Sequence, residues 1–449
     1  MSEPNLNSYQ EVINYLYDRL PVFQRTGAAA YKTGLGNITA LCRELDNPQD
    51  KIKTIHIAGT NGKGSVSHYL ASILQCAGYK RVGLHTSPHL KDFRERIKID
   101  GMPISEQDVG DFVNKYKVLI GSMDCSFFEV STAMAFYHFA EKKCEIAIIE
   151  TGLGGRLDST NIINPLLSVI TNISFDHVTF LGDTLPLIAG EKAGIIKPRT
   201  PVVIGESNQE TEKVFLNKAI ECDSVITIAD KIYKAENVRN CEKGRKPVLC
   251  MDIFKNNILY LKDIESELIG MYQLKNIPTV LASVDVLNNI GITGNPELKR
   301  ISESATRDGL QRVVTQTGLL GRWQVLCNSP LTVADTGHNE AGIREVVNQI
   351  NRTKFEQLHF VFGMVNDKDT GGVMAQLPKN AHYYFCKANI PRALEVNTLA
   401  ERASAFGLNG ECFGSVKQAL NAALKTANKN DLVFIGGSTF VVAEALEAF

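Results

Sequence analysis

The sequence predicts an α/β protein in two parts: residues 1–316 form a larger domain with a parallel-rich sheet and a small β-rich elaboration, and residues 317–449 form a smaller α/β domain. Three observations predict it. Short apolar, β-rich runs alternate with helical patterns along both parts. A Gly-rich loop joins the first such run to the helix after it. The 449 residues also exceed what one ordinary hydrophobic core organises.

In chain order, TIHIAG, RVGLHTS, IAIIET, LLSVIT and PVVIGE read as buried parallel strands between residues 53 and 206, with apolar residues at helical spacing between them. From Ser224 to Gly270 the pattern changes to SVITIA, PVLCMDIF and NNILYLK, broken by polar turns, which reads as the β-rich elaboration. Helical periodicity returns at Gln273–Asn289 and Pro296–Val314, and TQTGLLGR then brings Gly and Thr together as a linker near Gly318. Beyond it LTVADTG, LHFVFGMV, AHYYFCKA and DLVFIGGS alternate with helices, among them Ser415–Ala427.

With 44% hydrophobic and 22% charged residues the composition is that of a globular protein. The 48 Lys plus Arg against 49 Asp plus Glu give a net charge of -1, so no global field draws the chain to nucleic acid or an anionic membrane. Neither is expected as a partner. The ten cysteines are scattered from Cys42 to Cys412 without metal or redox spacing and read as reduced core residues. The first twenty residues lack a basic segment followed by an apolar run, and no eighteen apolar residues run together; a cytoplasmic setting is expected.

The segment Gly59-Thr60-Asn61-Gly62-Lys63-Gly64-Ser65 lies between a strand and an amphipathic helix, which is the context of a phosphate-binding loop. Glycines let successive N–H groups face one anion, the helix N-terminus adds partial positive charge, and Lys63 reaches terminal phosphates. Ser65 is suited to a magnesium ion or a phosphate oxygen. ATP and magnesium are therefore expected. The spacing departs from the common GxxxxGK[ST] pattern, because Gly64 intervenes between Lys63 and Ser65.

GTNGKGS, followed by SPHLKDFRERIKIDG, FFEVSTAMAF at Phe127, ETGLGGRLDSTN at Glu150, FDHVTFLGDT at Phe175 and EKAGIIKP at Glu191, resembles the folylpolyglutamate synthase and dihydrofolate synthase family of the Mur ligase superfamily. GRWQ at Gly321, DTGHN at Asp335, GMVNDKD at Gly363 and GGSTF at Gly436 continue the match in family order, and GAAAYKTGLGNI at Gly27 precedes it. The resemblance implies a P-loop Mur-ligase-like domain followed by a Rossmann-like α/β domain. It also implies an ATP-dependent C–N ligase that adds L-glutamate to dihydropteroate or a reduced folate through an acyl phosphate, and a monomer is expected. The rival readings are a muramyl-peptide ligase and a non-catalytic nucleotide-binding protein of the same fold. SPHL and FFEVSTAMAF argue against the first.

The resemblance also implies roles residue by residue. Ser87 and Glu150 would hold one magnesium ion, and Glu150, His177 and Lys192 would surround a second. An ammonium cannot ligate a cation, so Lys192 is expected either carbamylated, as its match in the superfamily often is, or ion-paired. Arg322, Asp335 and His338 would complete the phosphate site from the second domain. Asn276 would lie near adenine, although the family's usual His before it is Tyr272 here. Ser438 and Asp367, with Asp369, would face glutamate, though the acids could equally cap a helix. Phe127 and Phe128 would flank a flat pterin or pack in the core. The loop TSPHLKDFRER, with His85, His89 and Arg96 beside or within it, would meet the folate.

Overall fold

Eight strands form the first sheet of the computed structural model, which describes residues 5–22, 34–244, 246–293, 297–366 and 370–449. They are β1 (Thr54–Ala58), β2 (Val82–His85), β3 (Ile97–Ile99), β4 (Met102–Pro103), β5 (Ile146–Glu150), β6 (Leu167–Ile170), β7 (Val202–Ile204) and β8 (Ile226–Ile228), in the order β4-β3-β2-β5-β1-β6-β7-β8. The pairs from β2 through β8 are parallel, and the β3–β4 hairpin closes one edge antiparallel. Every residue of β1 and β5 is buried, as expected of strands covered by helices on both faces. On one face Ile55, Ile57 and Ile148 pack with Tyr69 and Leu70 of the helix Lys63–Cys76. On the other, Ala147 and Ile149 pack with Phe136 and Phe139 of the helix Phe127–Glu141.

The five strands read from the first stretch are all present, and one assignment changes. SVITIA supplies β8, which pairs with β7 at the edge of the large sheet instead of joining the β-rich elaboration. That elaboration is an antiparallel sheet of β9 (Tyr233–Lys243), β10 (Lys246–Lys255) and β11 (Ile258–Ser266). Within it Cys241 and Cys250 form a disulfide across the β9–β10 hairpin, which corrects the expectation of ten reduced cysteines. Cys412 is exposed and so is no core residue, whereas Cys42, Cys125, Cys144, Cys222 and Cys386 are buried thiols.

The third sheet contains β12 (Gln324–Asn328), β13 (Leu331–Ala334), β14 (Leu358–Phe362), β15 (Ala381–Cys386), β16 (Gly410–Phe413) and β17 (Leu432–Gly436), in the order β12-β13-β17-β14-β15-β16. Only β12 runs antiparallel to its neighbour, so the sheet is of the open, mostly parallel kind. Phe360, Phe362, Tyr383 and Phe434 fill the core on one of its faces. β3, β4, β9, β12 and β16 were not read from sequence, being short or only partly buried. Between the helix Val313–Thr317 and β12 the chain turns at Gly318 and Gly321, both with positive φ, where TQTGLLGR reads as a linker. Among the described residues no helix is long and apolar enough to cross a membrane.

Candidate active site

The phosphate loop leaves the carboxyl end of β1. Gly59 has φ +147° there, and a Cβ would come within 1.9 Å of Thr171 Oγ1, so only glycine fits. The loop hangs on the end of β6: Thr60 N–H donates to Asn172 O at 2.9 Å, Asn61 N–H to Asn172 Oδ1 at 2.9 Å, and Thr171 Oγ1 to Asn61 O at 2.6 Å. Gly62 (φ +85°) caps the helix, which begins at Lys63, within the segment read as the loop before it. Lys63 Nζ folds back to donate to Gly59 O at 3.0 Å and Thr60 O at 3.1 Å. Ser65 is buried beneath the loop, its hydroxyl accepting from Gln273 Nε2 at 3.1 Å.

Glu150, at the carboxyl end of β5, lies across from this loop. A Cβ on Gly64 would stand 3.9 Å from Glu150 Oε1 and 3.3 Å from an Arg322 terminal nitrogen, so the missing side chain lets both groups approach. Glu150 is 4% exposed and accepts from Ser87 N–H at 3.3 Å. Burial pushes its carboxyl up to about 7, against the opposing pull of Lys63, Ser87 N–H, Arg322 and Arg96. Lys192, on the helix Leu185–Ala193, reaches the same loop and donates to Gly59 O at 3.0 Å. Its ammonium is held down to about 7, by burial first and then by Lys63.

From the third sheet Asp335 follows β13. Its carboxylate accepts Tyr272 O–H at 2.5 Å, Trp323 N–H at 2.7 Å and Gly337 N–H at 2.8 Å. Burial raises the Asp335 carboxyl above its ordinary value while these donors oppose the shift. Arg322 donates to the Thr336 hydroxyl and to Gly321 O. His338 Nδ1 lies 2.9 Å from Thr336 O; a carbonyl can only accept, so Nδ1 carries a proton. Its Nε2 faces Asp176 Oδ2 at 3.6 Å, and His177 Nε2 stands 3.8 Å from Asp176 Oδ1. Asn61 and Asn339 exchange amide hydrogen bonds at 3.0 and 3.2 Å, tying the loop directly to DTGHN.

Two cavities meet at this junction. One, of about 380 Å³, is lined by Thr60 through Ser65, Glu150, Asn276, Arg322, Asp335 and His338. The other, of about 220 Å³, is lined by Phe127, Phe128, Arg96, Asp158, His177 and Ser438 among others. Ser87, Pro88, His338 and Thr439 line both.

The Mur ligase middle domain matches residues 57–284 and the Mur ligase glutamate ligase domain matches residues 321–439. The dihydrofolate synthase/folylpolyglutamate synthase of Bacillus subtilis is 32% identical over 446 residues, covering 97% of this chain and 98% of that one. This chain belongs to the dihydrofolate synthase/folylpolyglutamate synthase family of Mur ligases. Among solved members, E. coli FolC in complex with DHPP and ADP superposes with a TM-score of 0.80 at 27% identity, over 99% of this chain and 98% of that one. A bifunctional folylpolyglutamate synthase/dihydrofolate synthase with Mn, AMPPNP and L-glutamate bound gives a TM-score of 0.81 at 28% identity, over 100% and 99% of the two chains.

In this member of the family, the remaining residues singled out from sequence fall on the second cavity or behind it. Phe127 is 4% exposed, stacks on Tyr17 at 5.0 Å and carries Arg96 over its ring, so it is largely core. Phe128 is half-buried over Gly152, where a Cβ would lie 2.6 Å from its ring. Ser438 caps the helix Thr439–Ala445 through Phe440 N–H. Asn276 packs on Gly62 and donates to Gln273 Oε1 at 2.8 Å. Arg96 lines the cavity, whereas His85 and His89 lie behind it, bonded to Arg96 O and Arg96 Nε. Asp367 and Asp369 lie outside the described residues. Sequence reasoning did not single out Asn172, Asp158, Lys98, Gln273 or Asn339. Asp158, Asn339 and Lys98 stood within quoted motifs, but their roles as anchors of neighbouring backbone emerge only from folding.

Proposed function

We propose that this ligase joins the amino group of L-glutamate to the carboxyl group of dihydropteroate and to the γ-carboxyl group of reduced folate polyglutamates, converting ATP to ADP and phosphate. The observation that carries this reading is the meeting of the two cavities at Ser87, Thr439 and His338, with a phosphate loop on one side and an aromatic, mostly apolar wall on the other. Related enzymes hold ADP with DHPP, and AMPPNP with L-glutamate. The nucleotide fits the first cavity and the pterin the second. A division near residue 316 into an ATP-binding domain and a glutamate-ligase domain, a monomeric state, and a cytoplasmic setting where ATP is made belong to the same reading.

A substrate carboxylate oxygen attacks the γ-phosphorus and ADP leaves, giving an acyl phosphate. The glutamate nitrogen then attacks the acyl carbon, the C–O bond to phosphate breaks, and the nitrogen gives up its proton. Lys63, folded back on the loop, and Arg322, which approaches Gly64, neutralise the transferring phosphoryl group. His338 Nε2 stands at the junction to take the amine proton.

The residues present fit a divalent cation. Glu150 is a buried carboxylate with one backbone donor, and among the described residues no three His, Cys, Asp or Glu side chains gather into a cage. That suits magnesium, which keeps phosphate and water ligands and is held by one or two carboxylates rather than by an all-protein cage. Ser87 and Glu150 would hold one ion, with Ser65 close to the phosphates, and Glu150, His177 and carbamylated Lys192 a second. Such ions supply charge neutralisation to the phosphates. Support for carbamylation is the Lys192 amine itself, buried and held down to about 7, hence largely neutral above that pH and able to add to carbon dioxide with loss of a proton.

Turnover of ATP with glutamate plus either dihydropteroate or tetrahydrofolate, with products identified by mass, tests the reading. Activity with both is expected. Activity with one alone removes the dual assignment, and activity with neither removes the function. For carbamylation, Lys192→Ala should be slow and partly restored by added acetate; no restoration counts against it.

A further inference from the structure

We infer that Lys98 and His68 are positioning residues for ligation: they pin the chain at Thr317 and Gly318 and so set Arg322 over the phosphate loop. The inference rests on the ligase reading for its kinetic consequence but on geometry for its substance.

Lys98, on β3, is 5% exposed and lines the nucleotide cavity. Its ammonium donates to Thr317 O at 2.8 Å and Gly318 O at 3.4 Å, and to no carboxylate among the described residues. Burial lowers its tendency to hold the charge. A buried ammonium with carbonyl partners alone is a poor stabilising device; what it does accomplish is to satisfy the last carbonyls of the helix Val313–Thr317 where the chain leaves it. The turn after β3 presses on the same place, because a Cβ on Gly101 would come within 1.8 Å of Gln316 O.

His68 grips the same residue from the other side. Thr317 Oγ1 donates its only proton to Val313 O, so the 2.7 Å contact with His68 must be donated by Nδ1–H. His68 is 3% exposed and held neutral by burial, with Lys98 and Arg322 adding to the effect. It stands on the helix Lys63–Cys76, little more than one turn after Lys63.

A closed circuit results. From Lys63 the helix leads to His68, across a hydrogen bond to Thr317, through Gly318 (φ +64°), Leu319, Leu320 and Gly321 (φ +69°), and on to Arg322, whose guanidinium returns to within 3.3 Å of where a Gly64 Cβ would stand. Leu319 and Leu320 line the nucleotide cavity along the way. The two glycines take up backbone rotation, while Lys98 and His68 fix where it starts. Released from them, Arg322 no longer holds its place beside Gly64, and the acyl phosphate is open to water.

The test compares wild type, Lys98→Met and Lys98→Arg for kcat, KM and ADP formed per glutamate joined. Lys98→Met should lower kcat on the order of tenfold to a hundredfold and raise the ADP-to-product ratio above that of wild type, with Lys98→Arg restoring most of both. A merely structural lysine lowers melting temperature and leaves the ratio alone. Thr317→Val, which removes the hydroxyl that His68 meets, should act in the same direction and serves if Lys98→Met does not fold. Hydrogen exchange at residues 318–322 reads the placement without any turnover: it should quicken in Lys98→Met and Thr317→Val, with β5 unchanged. Unchanged exchange and an unchanged product ratio in a folded variant overturn the inference, whereas quickened exchange in an enzyme that joins no glutamate upholds it and removes the ligase reading instead.

Discussion

Glu150 carries its proton to higher pH in the folded protein than in the unfolded chain, because burial outweighs four favourable neighbours. The sign follows directly. Between an ordinary carboxylate value and about 7 the folded state binds more protons, so stability falls as pH rises through that window and stays lower above it. Glu150→Gln should therefore stabilise the ligand-free protein at pH 8 by at most on the order of 3 kcal/mol, while ligation falls on the order of a thousandfold. Denaturant midpoints of both proteins at pH 5 and pH 8 check it; a variant no more stable at pH 8 would refute the burial argument. The same ionisation should put an acid limb near pH 7 on kcat/KM, moved downward by added magnesium, since cation binding requires the carboxylate. Glu150 and Lys192 were legible in sequence because their motifs are local. Their shared fate was not: both titrate near 7 because other segments bury them.

At the scale of elements, the loop Gly59–Ser65 is shaped by β6 as much as by its own glycines. Gly59→Ala must adopt a φ of +147° and place its methyl 1.9 Å from Thr171 Oγ1. The substitution should cost on the order of 2–4 kcal/mol and abolish nucleotide binding, measured by thermal melting with and without AMPPNP. A nucleotide-dependent shift as large as that of wild type would count against this account. Continuous apolar runs made β1, β5, β6 and β7 readable, and the same reasoning misplaced β8, whose half-buried residues give no sign of which sheet they join. The disulfide in the β9–β10 hairpin escaped for a related reason, since the pairing of Cys241 with Cys250 depends on strand register and not on cysteine spacing.

Across the whole molecule, the cavity beside the Gly59–Ser65 loop is completed from two sheets, and contacts such as Tyr272 with Asp335 and Asn61 with Asn339 join residues 63 and 278 positions apart. A nucleotide held from both sides should stabilise both, by about 2.7 kcal/mol at a hundredfold excess over Kd. In wild type, AMPPNP should slow hydrogen exchange in β1 and in β13 and β17 together. In Arg322→Ala the protection should remain at β1 and shrink at β13 and β17; equal protection of all three would show that Arg322 does not carry the coupling.

By itself the sequence determined the α/β class, the Gly-rich loop between β1 and its helix, the family and a part of the residues that line the two cavities, because each is written in short runs whose periodicity or motif is local. The tertiary structure alone decided which of those residues face one another, which are driven to unusual proton affinity, and where the chain is held as it passes from one sheet to the next. The physical reason is that burial and hydrogen-bond partnership depend on segments brought together from far along the chain. Lys98 stands in the quoted SPHLKDFRERIKIDG, Thr317 in the TQTGLLGR linker and His68 on the helix after the loop, and none of the three has a signature of its own until they meet.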